Sequence, residues 1–392
     1  MRRPKLIFVN RVFWPSEAAT AQLLTDLAAA LAARGRDVHV IAAGDGAPEF
    51  RGVTIHRTGA EPAGRLARYG HFLRGARREL RRLVAPGDVV ILKTDPPLLA
   101  VAATELARAH GARVVQWIQD IYPEVLSAHL GAWAAPALLP LRLARNRAWR
   151  ASALCVPVSD DMRATVLAAG VAPDRAVALP NWAPPELDLP ARPDDIAAVR
   201  REWGAGDALL AVYSGNLGRV HEFATLLDAA ALLRDEPRVR LAFVGGGPRS
   251  AEVRAAVAAR GLANVAFFPA QPRARLAAAL AAADAHFVTL RPGFERLVAP
   301  SKLAGVLAAG RPALFVGPRP SGLAALLDTE GGGHALANGD ATALAATLRA
   351  WNADRTAAAA SGVAGRCVYE RHFRFVDLVA RWDALLESTA AD

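Results

Sequence analysis

The sequence is poor in the residues on which several classes of protein depend. Its 392 residues include two cysteines, Cys155 inside an apolar run and Cys367 in a late predicted helix. Two isolated cysteines support neither a disulfide framework nor a cysteine-based zinc site. No apolar run reaches the roughly 18 residues of a membrane span, and residues 1–10 show no signal peptide. These absences predict a protein of the reducing cytosol that is soluble or lies on a membrane surface.

Lysine is also scarce. Only three of the 47 basic side chains are lysines, namely Lys5, Lys93 and Lys302, and the others are arginines. The composition thus uses arginine wherever a plain positive charge suffices. A lysine ammonium is a compact point charge that suits phosphate. Lys302 is therefore a candidate phosphate ligand, the alternative being an incidental lysine at a solvated helix start.

The net charge of +10 lies almost wholly in residues 1–180. A predicted helix over 65–82 holds seven arginines and one glutamate, with Tyr69 and Phe72 as side chains that could enter a lipid headgroup boundary. A second basic cluster is 141–150. Such stretches bind anionic lipids or nucleic acid, whereas an arginine-biased composition also produces ordinary solvated faces. We expect either a membrane surface or no partner here, and no nucleic acid.

Short apolar runs alternate with helical segments along the first half. A helix over Thr20–Ala33 follows the first run. Near-continuous apolar strands alternating with helices indicate a parallel sheet covered on both faces. The predicted strands are 6–10, 38–43, 53–57, 89–92, 112–118 and 154–159. Five prolines within 179–195 then predict an interdomain linker.

The alternation restarts after the linker. Helices are predicted from about Phe223, from about Ser250, over 274–283 and, after residue 317, to the end of the chain. The predicted strands are 208–215, 239–247, 264–270, 285–290 and 313–317. The sequence therefore predicts an α/β protein of two doubly wound, Rossmann-like domains facing across a cleft. Ligands of such domains bind at the carboxyl ends of the strands.

The stretch 291–312 predicts a loop followed by a helix. Gly293 and Pro300 interrupt regular structure before a helix over 301–309, which Gly310 ends. Unpaired N–H groups at a helix start favour an anion such as phosphate. A carboxylate at the same place can accept hydrogen bonds from ribose hydroxyls. The candidate ligands here are Glu295, Ser301 and Lys302.

Two glycine-rich loops follow predicted strands, at 213–219 and 243–249. Glycine lets the backbone approach a ligand closely, and arginine neutralises phosphate. The second loop lacks the G-x-G-x-x-G spacing, so each loop taken singly is equally a tight β–α turn. Together with the 291–312 stretch they predict one nucleotide-diphosphate site. Its further candidates are Gly215, Asn216, Arg219, Gly245 and Gly246.

In the first half, candidate residues lie in the loop at 13–20 and in the segment 119–124 that follows a strand. Asp120 and Glu124 stand where a carboxylate could meet a substrate hydroxyl. Ser16 or Thr20 is predicted to cap the first helix. Structural alternatives remain: Asp120 could cap a turn, and Glu17 could be a solvated loop residue. The acceptor-side candidates are Ser16, Glu17, Thr20, Asp120 and Glu124.

In this order the motifs resemble glycosyltransferase family 4 of the GT-B fold, in the subfamily with N-acetylfucosaminyl and related sugar transferases of bacterial surface-polysaccharide assembly. The resemblance covers nearly the whole chain. It implies an acceptor-binding domain over 1–182, joined by a terminal helix over about 370–392, and a nucleotide-sugar-binding domain over 183–369. The segments that carry the resemblance are 8–35, 119–124, 177–182, 213–219, 243–249 and, most specifically, 297–317.

The resemblance also implies a reaction. A sugar, from a UDP-sugar as the expected donor, is transferred with retention and without a metal to a lipid-linked or polysaccharide-precursor glycan. Arg219, Lys302 and the start of the 301–309 helix would stabilise the leaving diphosphate. Asp120 would orient the acceptor or stabilise positive charge at the sugar carbon. The enzyme would be cytoplasmic, with the inner face of the cell membrane as a possible surface of contact.

One departure from the family pattern concerns two glutamates that are usually eight residues apart. Their positions here are Leu297 and Gly305, and Glu295 lies two residues from the first. The ribose contact of the second glutamate is therefore missing or supplied by another residue. Two alternative functions remain: a nucleotide-sugar epimerase of the same fold, and a non-catalytic nucleotide-binding, membrane-associated protein.

Overall fold

The computed structural model describes residues 3–391, which fold as two compact units. The first comprises Met1–Pro180, Arg296–Ala299 and Val376–Asp392, and the second comprises Asn181–Glu295 and Pro300–Phe375. Residues 1, 2 and 392, at the ends of the predicted first domain and terminal helix, lie outside the described residues.

Within the described chain, the first unit contains a seven-stranded sheet of order β3-β4-β2-β1-β5-β6-β7, parallel except for the β3–β4 pair. Its strands are β1 (Lys5–Val9), β2 (Asp37–Ala42), β3 (Glu49–Phe50), β4 (Val53–Arg57), β5 (Val89–Leu92), β6 (Arg113–Ile118) and β7 (Leu154–Pro157). Its helices are α1 (Ala19–Ala33), α2 (Arg65–Leu83), α3 (Leu99–Ala109), α4 (Glu124–Leu130), α5 (Ala135–Ala151) and α6 (Asp160–Ala168). The central strands consist of branched apolar residues and are buried on both faces, as expected for parallel pairing.

The second unit contains a parallel sheet of order β10-β9-β8-β11-β12-β13. Its strands are β8 (Leu209–Ser214), β9 (Val239–Val244), β10 (Val265–Phe268), β11 (Ala285–Thr289), β12 (Ala313–Gly317) and β13 (Gly333–Ala337). Its helices are α7 (Pro193–Glu202), α8 (Ala224–Leu232), α9 (Ser250–Ala259), α10 (Leu276–Ala282), α11 (Lys302–Ala308), α12 (Gly322–Glu330), α13 (Ala341–Ala353) and α14 (Arg355–His372).

The last helix, α15 (Phe375–Ala391), packs in the first unit over nearly all its length. The Trp382 ring lies 4.9 Å from the Trp117 ring, centroid to centroid, and both are buried. Arg36 Nε bonds Asp383 Oδ1 at 2.7 Å. An aromatic contact and an ion pair thus join the end of the chain to the sheet of the first unit.

The predicted α/β fold with two parallel sheets is confirmed, but two details differ. The chain after residue 317 is not all helical, because β13 pairs with β12 at the sheet edge. The glycine and alanine residues of β13 have low strand propensity, so the sequence does not indicate a strand there. Gly333 is needed in it because a side chain at this position would collide with the Ala313 backbone. Within the predicted linker 179–195, residues 185–188 form a 3-10 turn, and α7 begins at Pro193.

Candidate functional site

The two glycine-rich loops of the second unit lie side by side, at the carboxyl ends of the neighbouring strands β8 and β9. Gly215 N donates to Val244 O at 2.8 Å, and Leu217 N donates to Gly246 O at 2.7 Å. A side chain at Gly245, where φ is +127°, would collide with the Gly215 carbonyl oxygen. Glycine is therefore needed for the loops to meet. Asn216 and Gly246 remain exposed at the junction.

Lys302, the first residue of α11, packs against the same junction. Its Nζ lies 4.7 Å from the centroid of the Tyr213 ring and 3.1 Å from His221 Nε2. A Cβ at Gly215 would lie only 2.8 Å from Lys302 Cε. The glycine at 215 thus makes room for the lysine stem, which brings the ammonium to the loops.

His221 orients this ammonium. Its Nδ1 donates to the Thr289 carbonyl oxygen at 2.7 Å, so Nε2 is left to accept from Lys302. Burial, followed by the nearby Lys302 charge, lowers the pKa of His221 to about 3, and the ring is neutral at physiological pH. The sequence reasoning missed His221. The available signal was its place two residues after Arg219 in a strand-end loop.

The Lys302 side chain is half-buried. Burial lowers its pKa to about 7, and no carboxylate within residues 3–391 acts on its ammonium. An anion bound beside it would favour the charged form and raise the pKa again. A half-buried lysine beside the Gly215 loop, oriented by a neutral imidazole, is therefore suited to a phosphate or diphosphate group.

The other predicted residues of this site have separate surroundings. Arg219 has an exposed side chain, and its carbonyl oxygen accepts from Arg291 at 3.4 Å. Ser301 is exposed and makes no side-chain cap bond to α11. Glu295 Oε2 accepts from Gly293 N at 2.9 Å, within its own loop. The structure brings the two loops and Lys302 together, whereas Glu295 contacts a different part of the chain.

Position 305 faces apolar side chains. A Cβ at Gly305 would lie 3.5 Å from Leu280 Cδ1 and 3.6 Å from Leu187 Cδ1, both ordinary contacts. Leu297, the other family glutamate position, accepts a backbone hydrogen bond from Ile121 N at 2.8 Å. Neither position presents a carboxylate.

In the first unit, Asp120 follows β6, and Lys93 directly follows the neighbouring strand β5. Both line one small pocket, together with Thr94, Gln116, Tyr122 and Arg145. Burial raises the pKa of Asp120 to about 6 although Lys93 opposes the rise, and burial lowers the pKa of Lys93 to about 7. The sequence reasoning assigned no role to Lys93, although the scarcity of lysine could have singled it out.

The remaining acceptor-side candidates have structural contacts. Glu124 Oε1 accepts from Arg145 Nη2 at 2.5 Å, an ion pair in which the arginine is buried. The prediction that Ser16 or Thr20 caps α1 is wrong, because the cap position is Ala18 and makes no side-chain cap bond. Thr20 lies inside the first turn, and its carbonyl oxygen accepts from Lys93 Nζ at 3.1 Å. Glu17 is exposed in the loop.

The α2 helix differs from its predicted role in one respect. Phe72 is fully buried, and Tyr69 is half-buried with the Arg11 guanidinium over its ring. The expectation that Phe72 enters a lipid headgroup boundary is therefore wrong. Most of the α2 arginines are exposed. None of the helices described between residues 3 and 391 is both long and apolar enough to cross a bilayer.

No group of three histidine, cysteine, aspartate or glutamate side chains in residues 3–391 could hold a metal ion. The metal-free reaction stays a prediction.

Two doubly wound parallel-sheet units, one with adjoining glycine loops at its strand ends, fit the GT-B class of α/β proteins. Solved structures agree with this fold. HepE from Anabaena, crystallised in complex with UDP and glucose, matches with a TM-score of 0.78 over 98% of this chain and 100% of its own, at 18% identity.

Two family models also match, the glycosyl transferase 4-like domain over residues 19–182 and the glycosyl transferases group 1 over residues 208–354. A putative colanic acid biosynthesis glycosyl transferase, WcaI of Escherichia coli, is 31% identical over 57% of this chain and 56% of its own length. A probable glycosyltransferase, WbjE of Pseudomonas aeruginosa, is 28% identical over 66% of this chain and 64% of its own length. The matches thus span less than two thirds of either relative. The chain thus has the GT-B fold, and two glycosyltransferase domain models match successive parts of it.

Proposed function

We propose that the protein is a retaining, metal-independent glycosyltransferase that moves a sugar from a nucleotide sugar to an acceptor glycan. The observation that carries this proposal is the half-buried Lys302 ammonium beside the Gly215 loop, which lacks a counter-ion among the described residues. A nucleoside diphosphate supplies the missing negative charge. The similar fold of HepE, crystallised with UDP and glucose, supports a UDP-sugar as donor.

In this reaction the bond between the anomeric carbon and the diphosphate oxygen breaks, and a bond to an acceptor oxygen forms. Negative charge grows on the diphosphate as it leaves. Lys302, Arg219 and the N–H groups of the glycine loops would stabilise that charge, and one such contact is typically worth about 3 kcal/mol in the transition state. Asp120, at the end of β6, would accept a hydrogen bond from the acceptor hydroxyl.

The acceptor is proposed to be a lipid-linked or polysaccharide-precursor glycan. The printed name of the Escherichia coli relative, which refers to colanic acid biosynthesis, supports a surface polysaccharide. The test is to incubate the protein with UDP-sugars, EDTA and a panel of lipid-linked and soluble glycans. Mass spectrometry of the acceptor should show the mass of one added sugar, and NMR should show the donor's anomeric configuration retained.

Other outcomes of this assay have distinct meanings. A changed sugar on the nucleotide without any acceptor would identify an epimerase and overturn the proposal. Inversion at the anomeric carbon would overturn retention alone. Nucleotide binding without turnover on any acceptor of the panel would favour a non-catalytic role.

We also propose that the first unit lies on an anionic membrane surface in the cytoplasm. Supporting this, the segment 126–143 exposes large apolar side chains, with Trp133 74% exposed and Leu143 56% exposed. The exposed Arg142 lies in the same segment, and the exposed Arg147 and Arg150 follow it. Tryptophan and leucine enter the headgroup boundary, and each nearby arginine contributes on the order of 1 kcal/mol on anionic lipid. The apolar contact is thus assigned to this segment rather than to Phe72.

Liposome co-sedimentation tests this surface. Wild type should pellet with anionic vesicles, less so at high salt, and not with neutral ones. Substitution of Trp133 and Leu143 by Ser, or of Arg74, Arg78 and Arg81 by Gln, should reduce pelleting. A matched control replaces the exposed Leu232 of the second unit by Ser. Equal pelleting of all variants, or none of the wild type, would favour a soluble acceptor.

A further inference from the structure

One buried lysine of the first unit has no role in the proposed glycosyl transfer. Lys93 is 2% exposed. Its Nζ donates to the Thr20 carbonyl oxygen at 3.1 Å and lies 3.7 Å from the centroid of the Trp117 ring. A buried ammonium is stable only where nearby groups compensate its charge. A carbonyl and an aromatic face compensate partly, so a negative group nearby is expected.

Strand register places such a group beside it. In the parallel β5–β6 pair, Leu92 lies opposite Gln116, so Lys93 and Asp120 both stand at the carboxyl ends of adjacent strands. Both side chains line the same pocket. Within the described chain, the Asp120 carboxylate accepts no hydrogen bond, whereas Asp95 is held by two bonds from Arg11. Asp120 is thus the carboxylate left to interact with Lys93.

We propose that Lys93 is a positioning residue for Asp120. The buried Lys93 ammonium keeps the Asp120 carboxylate ionised in the pocket where an acceptor hydroxyl binds. This inference rests on the acceptor role proposed for Asp120. An ionised carboxylate accepts the hydroxyl hydrogen bond, whereas a protonated one would compete as a donor. Lysine suits the place because its ammonium is compact, whereas a guanidinium is a wide planar group.

Other charged groups face this pair. Asp95 acts on both Lys93 and Asp120, and it is itself held by Arg11 beside Glu61. Tyr122 and Arg145 also line the pocket, and Arg145 is paired with Glu124. Burial raises the pKa of Asp120 to about 6, and the Lys93 charge opposes that rise. The Lys93 charge therefore decides how much of Asp120 is ionised near pH 7.

The scarcity of lysine makes a direct test practical. Labelling lysine with ¹³C at Cε gives signals from only Lys5, Lys93 and Lys302, which Lys93→Met and Lys302→Met assign. In Asp120→Asn, which keeps Lys93, the pKa of Lys93 should fall by about 1 unit or more, because a nearby negative charge is lost. The Lys5 signal, at the start of β1 and so at the opposite end of the strands, should not change. The matched control is Asp160→Asn, an exposed aspartate of the same unit.

Enzyme kinetics supply the second readout. In Lys93→Met the acid limb of the acceptor-dependent rate should move to higher pH by about 1 unit, with the rate recovering at higher pH. A purely structural lysine would instead lower the rate equally at every pH. An unchanged Lys93 titration in Asp120→Asn overturns the inference even if transfer occurs. A shifted titration in a protein that transfers no sugar supports the coupling and refutes the proposed function instead.

Discussion

The Lys302 ammonium lies 3.1 Å from Nε2 of His221, whose Nδ1 is held by the Thr289 carbonyl oxygen at 2.7 Å. A neutral imidazole thus accepts a hydrogen bond from the half-buried lysine beside the donor-side loops. Because the imidazole carries no charge, the full positive charge of the lysine is available to a bound diphosphate.

Removing the cations of the donor site should reduce turnover. Lys302→Met and Arg219→Ala should each lower the rate by roughly 100-fold, because each is proposed to meet charge that grows on the leaving diphosphate. Circular dichroism and Tm should show that the fold is retained. Arg234→Ala, another arginine of the second unit with no proposed role, is the control. Wild-type rates in both variants would eliminate the site.

The pH dependence of kcat/KM for the donor should have a basic limb near pH 7. The pKa of Lys302 is lowered to about 7 by burial, so raising the pH above 7 removes the charged form from the free enzyme. Bound diphosphate raises that pKa, so kcat should fall only at higher pH. His221, with a pKa of about 3, stays neutral throughout. A kcat/KM that does not fall between pH 7 and 9 would contradict the role of Lys302.

Two glycine substitutions should differ sharply. Gly215→Ala should abolish donor binding and lower Tm, because its Cβ would lie 2.8 Å from Lys302 Cε at a φ of +126°. Gly246→Ala meets no atom within 4 Å in the ligand-free protein and should leave Tm nearly unchanged. Thermal unfolding of the two variants checks this. Equal loss of Tm would show that the loops do not pack around Lys302 in this way.

Activity should persist in EDTA without added magnesium. The charge of the leaving diphosphate is assigned to Lys302 and Arg219, so a divalent ion has no necessary part in the reaction. Rates measured in EDTA and in magnesium should agree within about twofold. That difference is small compared with the roughly 100-fold change in rate expected from the loss of one electrostatic contact. Complete loss in EDTA with rescue by a divalent ion would refute the metal-free reaction.

Much of the fold could be predicted because parallel strands are buried on both faces and therefore read as apolar runs, such as Val89–Leu92. β13 was not predicted because its glycine and alanine residues have low strand propensity and it lies at a sheet edge. Phe72 was misjudged although Phe72, Ala76 and Leu80 repeat at helical spacing and together form the buried face of α2.

The sequence predicted which loops form the candidate site, but it did not predict the side-chain contacts within that site. Gly215, Gly245 and Lys302 are recognisable from turn residues and from the scarcity of lysine. The roles of His221 and Lys93 depend on burial and on neighbours distant in sequence, such as Thr289 for His221. The loop position of Glu295 suggested a ribose ligand, but its carboxylate bonds the nearby Gly293 N–H. The position of Glu295 in the sequence does not show that its carboxylate bonds a backbone N–H of its own loop.

The most direct measurement is a thermal-shift panel of UDP, GDP, ADP and dTDP, each alone and as its sugar derivative, on wild type and Lys302→Met. A ligand present at 100 times its Kd stabilises the folded state by about 2.7 kcal/mol. One nucleoside diphosphate, expected to be UDP, should raise the Tm of wild type by several degrees and leave the Tm of Lys302→Met almost unchanged. No shift with any nucleotide, or equal shifts in the two proteins, would contradict the assignment of Lys302 to a nucleotide-sugar site.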